Sequence, residues 1–282
     1  MIGFINLCKP KGISSARAVS AVKKALATSY CGHMGTLDPI ADGVLPIAVG
    51  KAARLFGYLT ENKRKEYVAE FKFGYLTDTL DITGVLTADG GKIPDANEIN
   101  AVLREFTGEL LQLPPAFSAK KVGGVRAYTL ARAGESPVLA AKSVTVYSFL
   151  LEAAVDADTF RFRIACSGGT YIRSLARDLG ARLGTYAVMS ALTRVSTGYF
   201  HIKDSISVGD IAPDKLITVD AAVNLPRYDV PDVWRQRFGC GVKIPAEFDG
   251  ERLIYCGNEL YGLGSTPEGK LIMSAYLKDE NN

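Results

Sequence analysis

GHMGTLDPIADGVLPIAVG, residues 32–50, sets one carboxylate, Asp38, between a glycine-rich turn and a proline, and then runs directly into an apolar segment. An Asp-Pro pair after Gly-Thr-Leu suits an Asx turn, and turn formation alone accounts for these residue types. GVLPIAVG reads as a buried strand. Pro46 inside it has no ladder donor, so an edge position or a bulge is expected there. A turn followed by so much anchoring is also a firm mount for an acid that does chemistry, and the surrounding sequence has to decide between the two.

Upstream, GFINLCKP reads as a strand ending at Pro10, and SSARAVSAVKKALA as a serine-capped helix with Val19, Val22 and Leu26 on one face. Downstream, KAARLFGYL suits a short helix, and in KEYVAEFKF the residues Tyr67, Ala69, Phe71 and Phe73 recur at the period of a half-buried strand. DANEINAVLREF opens on Asp95 and Glu98 at capping-box spacing and puts Ile99, Val102, Leu103 and Phe106 on one helical stripe. Residues 114–136 carry prolines, a Gly-Gly pair and Lys120, Lys121, Arg126 and Arg132 against Glu135, the pattern of a basic excursion from the core. SVTVYSFLLEA and TFRFRIACS read as paired strands. TYIRSLARDLGARLG follows as a helix whose apolar face holds Ile172, Leu175, Ala176, Leu179 and Leu183, with Arg173 and Arg177 off that face. Beyond about residue 228 short strands with frequent glycine indicate a small β-rich C-terminal module.

Composition narrows the function classes. A chain of 282 residues that is 48% hydrophobic buries a sizeable core and suits one large and one small domain. Five cysteines without a CxxC argue against a disulfide framework, so the thiols are expected to be reduced and mostly buried. The N-terminus lacks a signal-peptide pattern and no run approaches the roughly 20 apolar residues of a membrane span, so a cytoplasmic location with no membrane contact is expected. Residues 1–65 hold ten basic side chains against three acidic, and the remainder of the chain is acidic. That cluster suits a polyanionic partner, although a solvated basic face would look the same. Two distant histidines, His33 and His201, lack the spacing of a metal site; no GxSxG elbow or P-loop occurs. GLGSTPEG fits a β-turn.

GHMGTLDPIADGVLPIAVG resembles the catalytic signature of the TruB family, the tRNA pseudouridine 55 synthases. NLCKPKGISS resembles their Lys-Pro motif, KEYVAEFKFGYLTDTLDITG their tyrosine strand and Thr-Asp segment, QLPPAFSAKKVGGVRAYTLARAGE their RNA-embracing insertion, and CSGGTYIRSLARDLG their arginine motif. Order and spacing agree from about residue 3 to residue 200.

The resemblance implies an α+β pseudouridine-synthase fold over 1–226, with a large mixed or antiparallel sheet flanked by helices and the insertion at about 114–136. It also implies a PUA-like RNA-binding module over 227–282. A uridine in the T-loop of tRNA would be flipped out, its glycosidic bond broken, and the uracil rejoined through carbon, with no cofactor and with the tRNA T-arm as partner. No metal is expected, on the scarcity of ligands, and nothing in the sequence demands more than a monomer. Asp38 would be the catalytic carboxylate, as nucleophile or as base. Desolvation penalises an enclosed carboxylate unless a cation holds it, and Arg173 matches the pairing arginine, able to bond both oxygens. Tyr67 would stack on the flipped base, with Tyr171 and Leu192 lining its pocket and His33 against the RNA loop. Lys9 and Pro10 would support the floor of the site. Asp81 and Arg132 would join Arg173 in an electrostatic network tied to the insertion. Met34 and Asp42 depart from the family pattern, which commonly has threonine at the first position and threonine or serine at the second.

Two rivals remain on the sequence: a guide-RNA-dependent pseudouridine synthase, and a tRNA-binding or folding factor whose carboxylate is incidental. A phosphoryl-transfer aspartate would want a second carboxylate nearby for magnesium.

Overall fold

The computed structural model describes residues 1–59, 64–118, 120–135 and 138–278, without the side chains of Lys121 and Arg132. Strand β1 (Gly3–Lys9) leads through the Pro10 turn into helix α1 (Ser15–Ala25), which begins where the Arg17 N–H donates to the Ser14 hydroxyl and which buries Ala18, Val19 and Val22. Strand β2 (Cys31–His33), the loop carrying Asp38 and strand β3 (Asp42–Val49) follow. A 3-10 turn and the short helix α2 (Phe56–Leu59) come next, then β4 (Lys65–Phe73), where Tyr67, Ala69, Phe71 and Phe73 are all buried.

The hairpin β5 (Tyr75–Thr77) and β6 (Leu86–Asp89) precedes helix α3 (Ala96–Leu103), whose capping box has both reciprocal bonds between Asp95 and Glu98. After β7 (Gly108–Gln112) the chain makes the expected excursion, a hairpin of β8 (Lys121–Val122) and β9 (Val125–Arg126) followed by α4 (Ala127–Arg132). Strands β10 (Lys142–Ala154) and β11 (Thr159–Cys166) pair antiparallel, α5 (Ile172–Arg182) follows, and β12 (Ala187–Thr197) turns into β13 (Phe200–His201).

These strands make a nine-stranded sheet in the order β1-β3-β12-β4-β11-β10-β7, with β2 added to β3 and β13 to β12. It is mixed, because β3 and β12 run parallel while the other pairs among the described residues are antiparallel. Helices α1, α3 and α5 cover one face, and their apolar stripes share one core with Leu7, Ile47, Phe71, Phe162 and Met189. Toward β11 the opposite face stays open and carries ion pairs between Arg161 and Glu70 and between Arg163 and Glu66.

Helix α6 (Val219–Ala222), strand β14 (Arg227–Asp229), helix α7 (Asp232–Gly239) and strands β15 (Arg252–Cys256), β16 (Glu259–Ser265) and β17 (Ile272–Tyr276) complete the chain. The last four strands form a separate sheet in chain order. Alternation along β15 divides its work: Ile254 packs with Val230, Phe238 and Leu271 inside this small unit, while Leu253 and Tyr255 pack on Phe4, Val44 and Ala48 of the large sheet. The Arg54 guanidinium also donates to the Tyr276 carbonyl at 2.6 Å.

Two expectations need correction. Pro46 lies neither on an edge nor at a bulge: β3 pairs with β1 in unbroken register, Asn6 opposite Pro46. Its carbonyl accepts the Met34 N–H on the side away from β1, so its imino nitrogen faces that same side, between the short contacts with β12 and with β2, where no ladder bond is lost. Of the five cysteines, only Cys166 is buried; Cys8, Cys31 and Cys256 are intermediate and Cys240 is exposed.

Candidate active site

The Asp38 loop is fastened along its whole length. The Ser15 hydroxyl accepts the Leu37 N–H at 2.8 Å and donates to the Leu37 carbonyl at 2.9 Å. The Gly12 N–H donates to the Pro39 carbonyl, and the Ala41 N–H closes a turn on the Asp38 carbonyl. Gly43 at the start of β3 has φ of +96°, and a Cβ there would lie 2.3 Å from the Arg194 carbonyl, so β12 can approach only because this residue is glycine.

This mount aims Asp38 at helix α5. The Arg173 Nε lies 3.0 Å from Asp38 Oδ2, and the two side chains are 8% and 34% exposed respectively. Off the apolar face of α5, Arg173 is nonetheless buried, because polar acceptors surround its fork: Nη1 donates to the Thr79 carbonyl at 2.7 Å and Nη2 to the Phe117 carbonyl at 3.0 Å. Asp81 Oδ2 stands 3.7 Å from Nη1. The Asp81 carboxylate is itself held by Thr79 and by the Thr83 N–H and hydroxyl. Phe117 belongs to the expected insertion, which therefore touches the acid–arginine pair through a backbone carbonyl. The Arg132 side chain lies outside the described residues.

Tyr67 and Leu192 face the same core as Leu37 and Ile172, directly beside the loop. Tyr67 is only 6% exposed, so a base stacking on it must first displace what covers the ring. Burial pushes its phenol up to about 12, against the opposing pull of the neighbouring Arg194 cation. Tyr171 precedes α5, its backbone exchanging two hydrogen bonds with the Gln112 side chain. His33 ends β2; burial and then Arg194 lower its pKa, which keeps the imidazole neutral at neutral pH. Lys9 is fully buried and donates to the Pro10 and Ile13 carbonyls, closing the turn under the site. Asp42 faces Lys11 at 3.9 Å, and Met34 is buried in the cluster beneath the C-terminal sheet.

Three residues of this assembly escaped the sequence reading: Ser15, Lys65 and Arg194. Arg194 is 0% exposed, sits opposite Tyr67 in the β12–β4 register, and donates from Nε to the Val44 carbonyl at 2.7 Å and from Nη2 to the Gly35 carbonyl at 3.3 Å. It thereby spans both ends of the Asp38 loop. Strand period was the available signal, since Arg194 follows Leu192 by two residues and Lys65 precedes Tyr67 by two, which puts both cations on buried faces.

Burial, then Arg194, pull the Lys65 amine down to about 8. A folded-state value below the unfolded 10.5 means that the unfolded chain binds more protons between those two pH values, so the penalty is full below about 8 and fades as pH rises toward 10.5. Lys65→Met is therefore expected to raise the stability of the RNA-free protein at pH 7 by up to about 3 kcal/mol, at roughly 1.4 kcal/mol per pKa unit, and to show a smaller gain at pH 10. Denaturant melts at both pH values check this; a variant less stable than the parent at pH 7 contradicts it.

A rigidly mounted carboxylate paired with a buried guanidinium, beside a tyrosine, can attack or deprotonate a sugar. Among the described residues no three His, Cys, Asp or Glu side chains stand together as metal ligands, and no helix is long and apolar enough to cross a membrane. The fold is that of pseudouridine synthases: a box H/ACA ribonucleoprotein solved with a substrate RNA containing 2'-deoxyuridine superposes with a TM-score of 0.68 at 24% identity, over 99% of this chain and 86% of that one. Residues 23–172 match the TruB family pseudouridylate synthase N-terminal domain. The chain is 39% identical to the tRNA pseudouridine synthase B of Clostridium acetobutylicum over 86% of each protein. It is likewise 39% identical to that of Carboxydothermus hydrogenoformans over 94% of each. The chain belongs to the TruB family of pseudouridylate synthases.

Proposed function

We propose that this enzyme isomerises the uridine at position 55, in the T-loop of tRNA, to pseudouridine, acting as a cytoplasmic monomer. The observation that carries the reading is the 3.0 Å contact between Asp38 and the buried Arg173 guanidinium, on a loop fastened at every turn. The target nucleotide leaves the stack, Asp38 acts on its ribose, the C1′–N1 bond breaks, and the turned uracil rejoins through C5. Arg173 orients the carboxylate. Tyr67 meets the flipped base, Tyr171 and Leu192 line its pocket, and His33, neutral, lies against the RNA loop. Lys9 and Pro10 support the floor, while Asp81 and Arg132 belong to the Arg173 network. Residues 1–226 form the catalytic domain, with the insertion at 114–136 closing over the RNA, and 227–282 form a PUA-like RNA-binding module. The 39% identity to tRNA enzymes over nearly the full length supports the substrate.

Tritium release from a T-arm transcript labelled at uracil C5 tests the reading, comparing the intact protein with Asp38→Asn and Arg173→Ala. Release by the purified chain alone excludes a need for a guide RNA and partner subunits; Asp38→Asn retaining full release would mark the carboxylate as incidental, as in a tRNA-folding factor.

Binding to the transcript should fall steeply with salt, because basic side chains displace counterions from phosphates. With six to ten phosphate contacts the loss between 50 and 200 mM salt is about 10³- to 10⁵-fold. A flat titration would remove the role given to the basic N-terminal region.

A further inference from the structure

Arg173 has Asp38 and Asp81 for company, and Lys9 has two carbonyls. Lys65 and Arg194 are different. Among the described residues neither has an ion-pair partner, and the Arg194 Nη1 is buried with no hydrogen-bond acceptor. Their nitrogens converge: a Cβ at Gly35 would lie 3.0 Å from Lys65 Nζ and 3.7 Å from Arg194 Nη1. That spot is in the loop that carries Asp38, and it adjoins Tyr67, which is opposite Arg194 across the β4–β12 ladder and on the same face of β4 as Lys65. The Arg194 charge is felt by all four neighbours: it adds to the lowering that burial imposes on His33, Lys65 and Lys9, and it opposes the rise that burial imposes on Tyr67. An enclosed guanidinium and a half-buried amine beside it, without a counter-charge among the described residues, are costly, and their natural complement is an anion that exists only transiently.

The reaction supplies one. When C1′–N1 breaks, the bonding electron pair leaves with uracil, giving an anion delocalised over its ring and carbonyl oxygens. Asp38 meanwhile either bonds C1′ through a carboxylate oxygen or takes the C2′ proton. On both routes one negative charge disappears from Asp38 and appears on uracil. It returns to Asp38 when uracil C5 bonds to C1′, as the carboxylate is displaced from C1′ or gives its proton back to C2′; the C5 proton then passes to solvent while N1 takes one up, leaving neutral pseudouridine.

We propose that Lys65 and Arg194 are the electrostatic seat of the detached uracil anion: Arg173 matches the negative charge while it is on Asp38, and this second pair matches it once it has moved to the base. The proposal rests on the reading of Asp38 given above. Lys65 is the member that meets the base, and Arg194 is a positioning residue that holds the loop through the Val44 and Gly35 carbonyls.

A synthetic T-arm RNA with uridine or 5-fluorouridine at the target tests it, because fluorine stabilises the uracil anion and a site that has lost its cation becomes more dependent on that help. Single-turnover formation of the C-linked nucleoside at saturating enzyme is read by mass spectrometry after nuclease digestion, alongside RNA affinity. Lys65→Met is the principal variant, since no hydrogen bond of the folded chain depends on its amine among the described residues. It should lower the uridine rate about 10²-fold, the usual effect of removing one preorganised charge-stabilising group, with affinity within about threefold. With 5-fluorouridine the deficit should shrink to less than about tenfold, and Lys65→Arg should recover most of the uridine rate. Arg194→Lys, checked for folding by its melt, should show the same leaving-group dependence.

Equal deficits on both substrates would mean that Lys65 only props the loop, and weakened RNA affinity with an unchanged saturating rate would assign it to a backbone phosphate. Either result overturns the proposal. Asp38→Asn run in parallel separates the two levels, because full activity there would remove the reading of Asp38 itself, whatever Lys65 does.

Discussion

Asp38→Asn is expected to bind T-arm RNA like the parent enzyme and to lose isomerisation by at least about 10⁴-fold, the scale on which removal of a reacting group acts when binding survives. The substitution is nearly isosteric. The Asn carbonyl can still accept the Arg173 Nε–H where Oδ2 now sits at 3.0 Å, and the Ser15–Leu37 and Gly12–Pro39 bonds that mount the loop do not involve the side chain. A carboxamide, however, neither attacks C1′ nor removes a proton from C2′. Fold, affinity and chemistry are therefore separable in this one variant. Tritium release within tenfold of the parent would show that another group does the work.

Arg173→Ala should be the second most damaging change. It removes in one step the partner of Asp38, a cation 3.7 Å from Asp81, and the donors that satisfy the Thr79 and Phe117 carbonyls. Breaking a buried pair by deleting one member costs about 3–5 kcal/mol of stability, and because Asp38 is a third exposed the lower end applies; the carboxylate left without its orienting partner should lose roughly 10²-fold in rate. Arg173→Lys should rescue little, since one ammonium cannot reach acceptors that a planar fork meets at three nitrogens. The double variant with Asp38→Asn should be no slower than Asp38→Asn alone, because the pair acts as a unit. Additive losses, or an Arg173→Ala rate within threefold of the parent, would break the assignment of Arg173 to Asp38. A lowered melting temperature is expected as well, and measuring the rate at saturating RNA keeps that loss apart from catalysis.

These two experiments and the Lys65 series probe a division of labour visible in the burial of charges. Arg173 is a matched cation, fully provided with acceptors. Among the described residues Lys65 and Arg194 are unmatched. A protein that leaves an arginine completely enclosed without a carboxylate gives up stability, which is why Lys65→Met is expected to gain stability and lose rate together.

Local rules were sufficient for most of the secondary structure. Period-two alternation found β4 and β11, the Asp95/Glu98 spacing found the start of α3, and the glycine-rich tail found the small C-terminal sheet. Asp38, Tyr67 and Arg173 were legible as candidates because their motifs recur in a known order along the chain. Pro46 was misread since its ring forbids one ladder bond, and only the placement of β2 and β12 reveals that no bond is needed on that side. The sequence by itself thus determined which segments are strands and helices, and that an acid, a tyrosine and an arginine stand in a signature order. Tertiary structure alone decided that the acid and the arginine touch, that a carbonyl of the insertion reaches the same guanidinium, and that Arg194 is shut inside with the half-buried Lys65 amine beside it. The reason is physical: periodicity reports which face of an element is apolar, but whether a charged residue is solvated or enclosed depends on what distant segments bring to it.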